Sequence, residues 1–245
     1  TRGQQFDSAS GHQLKKYIKK RKKLYQFLIN FRELLRIFYN VKTRSRYLWN
    51  LRDGDNKASL NYPIKQESIV FDIGAYEGNF TQKVYEKFNC NVYAFEPLPE
   101  KYEFLVNKFE NFSKISIYSF GLYDKNMTAD ISLYDAGSSL FIRPEASPSL
   151  KINLKSFDNF LVDNGINKVD YLYMNIEGSE YKLLNHIIET GNIKKIGYLQ
   201  IQFHNYIKDA KKLRKKIRSE LKTTHQQEFN YPFIWEGWKL KSSNT

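Results

Sequence analysis

Residues 68–81 read SIVFDIGAYEGNFT, and this stretch decides the fold. Ile69–Ile73 is an apolar run broken only by Asp72, the composition of a buried strand. Gly74 and Gly78 follow, and from Asn79 to Phe88 the pattern becomes helical. A strand, a turn that needs glycine and a helix start form one crossing unit. In an open α/β sheet ligands sit at such crossings, where the helix presents free backbone N–H groups.

Outward from this unit the chain alternates. Strands are predicted at 69–73, 91–95 and 115–120, with helices at 79–88 and 100–109 between them. A hairpin strand over 128–134 and a polar loop over 137–148 come next. Then follow a short strand at 152–154, a helix at 157–161, a buried strand at 169–176 and a helix at 179–189. A strand at 196–204, a basic helix at 209–222 and a closing strand or hairpin over 229–240 complete the chain. The alternation predicts an α/β fold with a doubly wound, Rossmann-like sheet. Trp235, Trp238, Phe229, Tyr231 and Phe233 are expected in the core of the closing strands, or stacked on a sugar ring.

Charge is uneven. The chain carries a net +13, but residues 11–49 hold 12 Lys/Arg against one acid, Glu33. The basic character therefore belongs to an N-terminal arm, 1–49, and a linker, 50–67, joins it to the main domain, 68–245. Lys15 to Lys23 is nearly all basic. Leu24, Phe27, Leu28, Phe31, Leu34, Leu35 and Phe38 then recur at helical spacing. Such a basic amphipathic helix packs on its own domain, on a second copy of the chain, or on a membrane surface, which would engage residues 15–38. Nucleic acid is a less favoured partner. The single Cys90 excludes an internal disulfide and fits a reducing, cytoplasmic setting. No apolar run approaches the roughly 20 residues that span a bilayer, so any membrane contact is expected to be peripheral.

The spacing D-x-G-x-x-x-G over Asp72, Gly74 and Gly78 differs from the G-x-G-x-x-G of dinucleotide sites, which disfavours a nicotinamide oxidoreductase. Asp72 and Glu77 would repel a pyrophosphate and suit a ligand bearing a positive sulfonium or ammonium. Glu96 ends the next strand, 24 residues after Asp72, where an acid accepts hydrogen bonds from ribose hydroxyls.

These motifs lie in blocks that resemble the FkbM family of S-adenosylmethionine-dependent methyltransferases. The blocks are VFDIGAYEGNFT (70–81), VYAFEPLPEKYEFLVNKF (92–109), FGLYD (120–124), SSL (138–140), LKSFDNFL (154–161) and DYLYMNIEGSEYKLL (170–184). The resemblance implies a class I methyltransferase fold, S-adenosyl-L-methionine as cofactor, and methylation of a hydroxyl on a sugar, glycan or related natural product. By position, Asp72, Gly74 and Gly78 would border the methionine part of the cofactor, and Glu96 would hold the ribose. Gly121, Leu122 and Asp124 would lie near the adenine. Tyr76, Asn79, Phe80, Pro97 and Asn175 complete the candidate cofactor set. The family's K-I-D-V-E-G is here Tyr173-Met174-Asn175-Ile176-Glu177-Gly178, so a lysine and an aspartate are replaced.

Methyl transfer to oxygen needs an aligned hydroxyl and an acceptor for its proton. His204, expected at the carboxyl end of a strand, is the first candidate base, Glu177 the second and His225 the third. Asn175 would hydrogen-bond the cofactor or substrate. Asn175, Glu177 and His204 lack a metal-ligand spacing, so no metal is expected. The reading is thus an O-methyltransferase acting on a sugar or glycan hydroxyl. Its rivals are a nucleic-acid methyltransferase that uses the basic arm, and a non-catalytic membrane-attached protein with a decayed site.

Overall fold

The computed structural model describes residues 8–134, 137–139 and 149–242. Residues 140–148 of the expected loop therefore lie outside the described residues. The chain begins with two helices, α1 (Ser8–Tyr39) and α2 (Val41–Leu51). The alternating part runs β1 (Ile69–Ile73), α3 (Asn79–Phe88), β2 (Asn91–Phe95), α4 (Pro99–Lys108) and β3 (Ile115–Tyr118). After β4 (Gly121–Tyr123), β5 (Met127–Tyr134), β6 (Gly137–Ser139) and β7 (Ser149–Ser156) come α5 (Phe157–Asp163), β8 (Val169–Met174) and α6 (Glu180–Glu189). The chain ends with β9 (Ile196–Ile201), α7 (Ala210–Thr224), β10 (His225–Tyr231) and β11 (Trp235–Leu240).

Seven strands form the main sheet in the order β10-β11-β9-β8-β1-β2-β3. β1 pairs in parallel with both β2 and β8, and β8 with β9. Only β11 is antiparallel, inserted between β9 and β10. The order reverses between β1 and β8, because β1 leads outward to β2 and β3 while the later strands run the other way. That reversal is the switch point where doubly wound sheets bind ligands. The closing segment is thus a hairpin, and its turn returns β11 into the sheet beside β9. A smaller sheet, β4-β7-β5-β6, stands apart from the main one. The sequence showed β5 and the middle of β7 only; β4 was not expected, and β6 occupies the start of the segment read as a polar loop, because its Gly137, Ser138 and Ser139 pair with Tyr134, Leu133 and Ser132 of β5 rather than showing a strand pattern of their own.

Both faces of the main sheet are covered, which is why its strands read as continuous apolar runs. Phe71, Ile73, Phe95, Leu172 and Met174 pack with Phe157, Phe160, Leu183, Leu184 and Ile187 of α5 and α6. Val70, Val92, Ala94 and Tyr171 pack on the opposite side with Val84 of α3, Leu105 of α4 and Tyr62. Alternate residues of β1 thus point to opposite layers, and Asp72 shares the α3 face.

The boundary between the arm and the linker falls inside α2, which packs on the main domain. Trp49 of α2 is fully buried, and its ring lies 5.2 Å from Tyr231 and 5.5 Å from Phe229. Its indole N–H donates to Asp55 at 2.8 Å, and Arg52 donates to the Tyr231 hydroxyl at 3.1 Å. These contacts fasten α2 to β10 and the β10–β11 turn.

Candidate active site

The carboxyl ends of β1, β2, β8 and β9 are laced together by the backbone. Gly74 and Ala75 donate to the Phe95 carbonyl at 3.0 and 3.1 Å, and Asn175 donates to the Ile73 carbonyl at 3.0 Å. Gln202 donates to Met174 at 3.0 Å. The loops after the strands therefore leave the sheet side by side.

Gly74 has φ +88°, and a Cβ there would lie 2.2 Å from the Asn175 carbonyl oxygen. A side chain is excluded by conformation and by space. Gly78 caps α3 in the left-handed region, where a Cβ would strike Leu105 and Phe109. Two non-glycine residues also sit at positive φ on this rim, Tyr76 at 51° and Glu177 at 48°. Backbone strain of this kind concentrates where a loop must present groups to a ligand.

Asp72 is buried beneath the start of α3. The Thr81 hydroxyl donates to its Oδ2 at 2.6 Å, while its Oδ1 is buried and accepts nothing. Burial, with a smaller push from the Glu96 charge, raises its carboxyl to about 7. Glu96 accepts the Tyr76 N–H at 2.8 Å and the Leu98 N–H at 3.0 Å, one on each oxygen. Burial raises it despite these bonds. Asn175 is half-buried, and its Oδ1 is a second buried acceptor without a donor.

The other cofactor candidates divide. Asn79 opens α3 at the surface, and Tyr76 is 54% exposed. Phe80 stacks on Tyr173, ring centroids 3.8 Å apart, so its face is engaged in packing. A Cβ at Gly121 would lie 3.7 Å from Pro97, which puts the start of β4 against the loop after β2. Leu122 is buried in the core, and Asp124 pairs with Lys182 at 3.2 Å.

One expectation fails. Glu77 does not add its charge to that of Asp72, because Lys101 of α4 pairs with it at 3.1 Å. The Lys101 ammonium also lies 4.2 Å from the Tyr76 ring centroid. The acid needed a basic partner one helix later, and spacing within the loop could not reveal it. His225 also leaves the candidate set. It opens β10 at the amino edge of the sheet, and its Nε2 lies 3.0 Å from the Ile196 carbonyl oxygen. Trp235 and Trp238 are buried, so their rings are not available to stack on a sugar.

His204 follows β9 at the carboxyl edge and is 3% exposed. Its Nε2 lies 3.4 Å from Glu177 and its Nδ1 3.2 Å from Glu180. Burial alone would lower its pKa, but the two carboxylates outweigh burial and hold it at about 9. Glu177 shows the reverse balance: burial would raise it, and His204, Tyr206 and Lys42 bring it below the usual range. The Tyr206 hydroxyl donates to Glu177 at 2.6 Å. Glu180, fully buried, takes the Gly178 N–H at 2.8 Å and the His204 N–H at 2.8 Å. Glu180, Tyr206 and Lys42 were not singled out in the sequence. For Glu180 the signal was faint, a second acid in the block Ile176-Glu177-Gly178-Ser179-Glu180.

The profile of the methyltransferase FkbM domain matches residues 72–233, from the Asp72 crossing to the β10–β11 turn. The chain belongs to the FkbM methyltransferase family. No curated protein matches it. Solved structures that it resembles include a fibrillarin pre-rRNA processing protein of Methanococcus jannaschii. That pair shares 17% identity over 77% of this chain and 76% of the other, with a TM-score of 0.46. An rRNA methylase from Streptococcus thermophilus matches at 13% identity, over 76% of this chain and 93% of that one, with a TM-score of 0.47. M. capricolum TrmK, in complex with S-adenosylhomocysteine, matches at 11% identity, over 76% and 66% of the two chains, with a TM-score of 0.43.

The fold is that of a class I methyltransferase, and S-adenosylmethionine is the cofactor of this FkbM methyltransferase. The residues present fit it. The cofactor's amino-acid end carries an ammonium, a donor that needs acceptors. The Oδ1 atoms of Asp72 and Asn175 are buried acceptors that lack donors. Replacement of the family's aspartate by Asn175 keeps an acceptor and removes a charge. The Tyr173 that replaces the lysine is packed between Phe80 and Trp235 and acts as core.

Proposed function

We propose that this FkbM methyltransferase methylates a hydroxyl of a sugar, glycan or related natural product. The observation that carries the reading is the Glu177–His204–Glu180 array, half-buried at Glu177 and buried at the other two, beside the cofactor crossing on the same edge of the sheet. S-adenosylmethionine supplies an electrophilic methyl group on a sulfonium. When bound it would supply that methyl to the acceptor oxygen, the carbon–sulfur electron pair remaining on the departing sulfur. As the oxygen becomes an oxonium its proton turns strongly acidic, so a weak base is sufficient. Glu177, a carboxylate at neutral pH, takes that proton. His204, held as a cation, orients Glu177 through Nε2–H and is itself held by Glu180. The array carries two negative charges and one positive, which favours a cationic transition state. On the cofactor side, Asp72 and Asn175 would receive the ammonium, Glu96 the ribose hydroxyls, and the Pro97–Gly121 wall the adenine.

The test has two stages. Calorimetry with S-adenosylmethionine and S-adenosylhomocysteine should show binding of both. A labelled methyl donor is then offered to nucleotide-linked sugars, glycolipids, protein and RNA. Label in a carbohydrate that survives mild alkali marks an ether and supports the reading. Label confined to RNA, or label lost as an ester, overturns it.

A further inference from the structure

The exposed face of α1 is not explained by the methyltransferase domain. Leu24, Phe27, Leu28, Phe31 and Phe38 are between 50% and 67% exposed, and Leu35 is 39% exposed. At about 100° per residue these six side chains fall within one stripe on the helix. The rings of Phe27 and Phe31 stack along it, centroids 6.3 Å apart. Lys19, Lys20, Arg21, Lys22, Lys23 and Arg32 are exposed next to the stripe and at its amino-terminal end. No helix among the described residues is long and apolar enough to cross a membrane. The helix therefore combines a broad apolar stripe with dense positive charge and lacks the length of apolar sequence to insert.

We infer that α1 lies in the surface of an anionic lipid bilayer and holds the carboxyl edge of the sheet against it. A lipid surface takes the apolar stripe and the cations together. A nucleic acid would meet the cations and leave Phe27, Phe31 and Phe38 in water. A second copy of α1 would cover the stripe. However, it would set the Lys19–Lys23 run against its own copy, or against Arg32 and Arg36 in an antiparallel pair, and like charges in contact are costly.

The junction turns this contact into a placement of the active site. α1 passes into α2 through Asn40 alone, whose side chain caps α2 by accepting the Thr43 N–H at 3.0 Å. α2 is in turn fastened by Trp49 and Arg52 to the β10–β11 end of the sheet. Lys42, in the first turn of α2, adds its charge to the environment of Glu177. The root of α1 therefore stands beside the proposed proton acceptor. This consequence rests on the proposed function, whereas binding to lipid does not.

Vesicle co-sedimentation tests the inference without any methyl transfer. The full chain should sediment with vesicles containing 30% phosphatidylglycerol at about 0.1 M salt, and at least about tenfold less with pure phosphatidylcholine. The double variant Phe27→Asp and Phe31→Asp should lose about tenfold or more in lipid affinity. The quadruple variant Lys19→Gln, Lys20→Gln, Lys22→Gln and Lys23→Gln should behave alike. All these side chains are exposed, and calorimetric binding of S-adenosylmethionine should be unchanged, which reports an intact domain. No sedimentation with anionic vesicles overturns the inference. So does an aspartate-sensitive dimer in size-exclusion chromatography without lipid binding, or retention of RNA, but not vesicles, by the lysine run. Loss of cofactor binding by the unmodified chain would instead overturn the proposed function and leave the lipid result standing.

Discussion

One oxygen of Glu180 holds His204 twice: Oε1 lies 2.8 Å from the backbone nitrogen and 3.2 Å from Nδ1. The backbone contact fixes the loop just past β9, and the ring contact fixes how the imidazole faces Glu177. Sequence position and ring orientation are thus set by a single buried carboxylate. Glu180 is a positioning residue, because it touches no reacting atom.

Glu180→Gln keeps the size and removes the charge. The pKa of His204, held at about 9 by two carboxylates, should fall toward its ordinary value near 6.5. The imidazolium then becomes neutral within the working pH range, and the positive charge that holds Glu177 is lost. A pH–rate profile should show the alkaline limb moved down by about one unit or more, with KM for the donor nearly unchanged. An alkaline limb in the same place would show that Glu180 does not set the charge of His204.

The same group leaves a mark on stability. A histidine whose folded pKa is raised stabilises the fold fully below its unfolded value, and that contribution is lost as pH rises through the folded one. The window here runs from about 6.5 to about 9, and the loss is on the order of 2–3 kcal/mol. Urea melts at pH 6 and pH 9 should show it, and Glu180→Gln should shrink the difference between them.

Glu177→Gln should lower kcat by about a hundredfold to a thousandfold, since glutamine accepts a hydrogen bond but takes no proton. Affinity for S-adenosylmethionine by calorimetry should stay within a few-fold. Equal losses in turnover and cofactor affinity would move Glu177 from the chemistry to the cofactor wall.

Asp72 offers a trade between stability and binding. Its carboxyl is raised to about 7, so the buried site opposes ionisation, and the fold loses stability as pH climbs from about 4 through 7. Asp72→Asn removes that cost and retains an acceptor for the Thr81 hydroxyl. The apoprotein should melt at the same or a higher temperature at pH 8, while affinity for S-adenosylmethionine falls about tenfold or more. A variant that is destabilised yet binds normally would make Asp72 a purely structural residue.

The crossing at Gly74, the alternation of strands and helices, and the place of His204 were legible because each depends on local pattern. Apolar runs mark strands buried on both faces, glycines mark turns, and strand alternation fixes which edge a loop occupies. Pairings between distant elements were not legible. Glu77 is answered by Lys101 on another helix, and Glu180 reads as an ordinary acid in a first helical turn. Trp49 stood as the last turn of a basic arm, although it fills a pocket made by Tyr231, Phe229 and Trp235, about 180 residues away. The two sheets were unresolved for a related reason: strand patterns reveal faces, not which strands pair.

Trp49→Ala tests whether α2 belongs to the catalytic body. Removal of a fully buried indole costs about 3–5 kcal/mol where the site cannot collapse. It also leaves Asp55 without the N–H it now accepts. If α2 folds with the domain, the variant should unfold in one transition at lower denaturant, with proteolysis no longer sparing residues 41–60. The hydrogen bond between Arg52 and Tyr231 should weaken with it, because both hold the same helix end. Trp49→Phe should recover part of the loss, since a ring can still pack against Tyr231. Two separate transitions, the first lost in the variant and the second unchanged, would show instead that α1 and α2 form an independent unit.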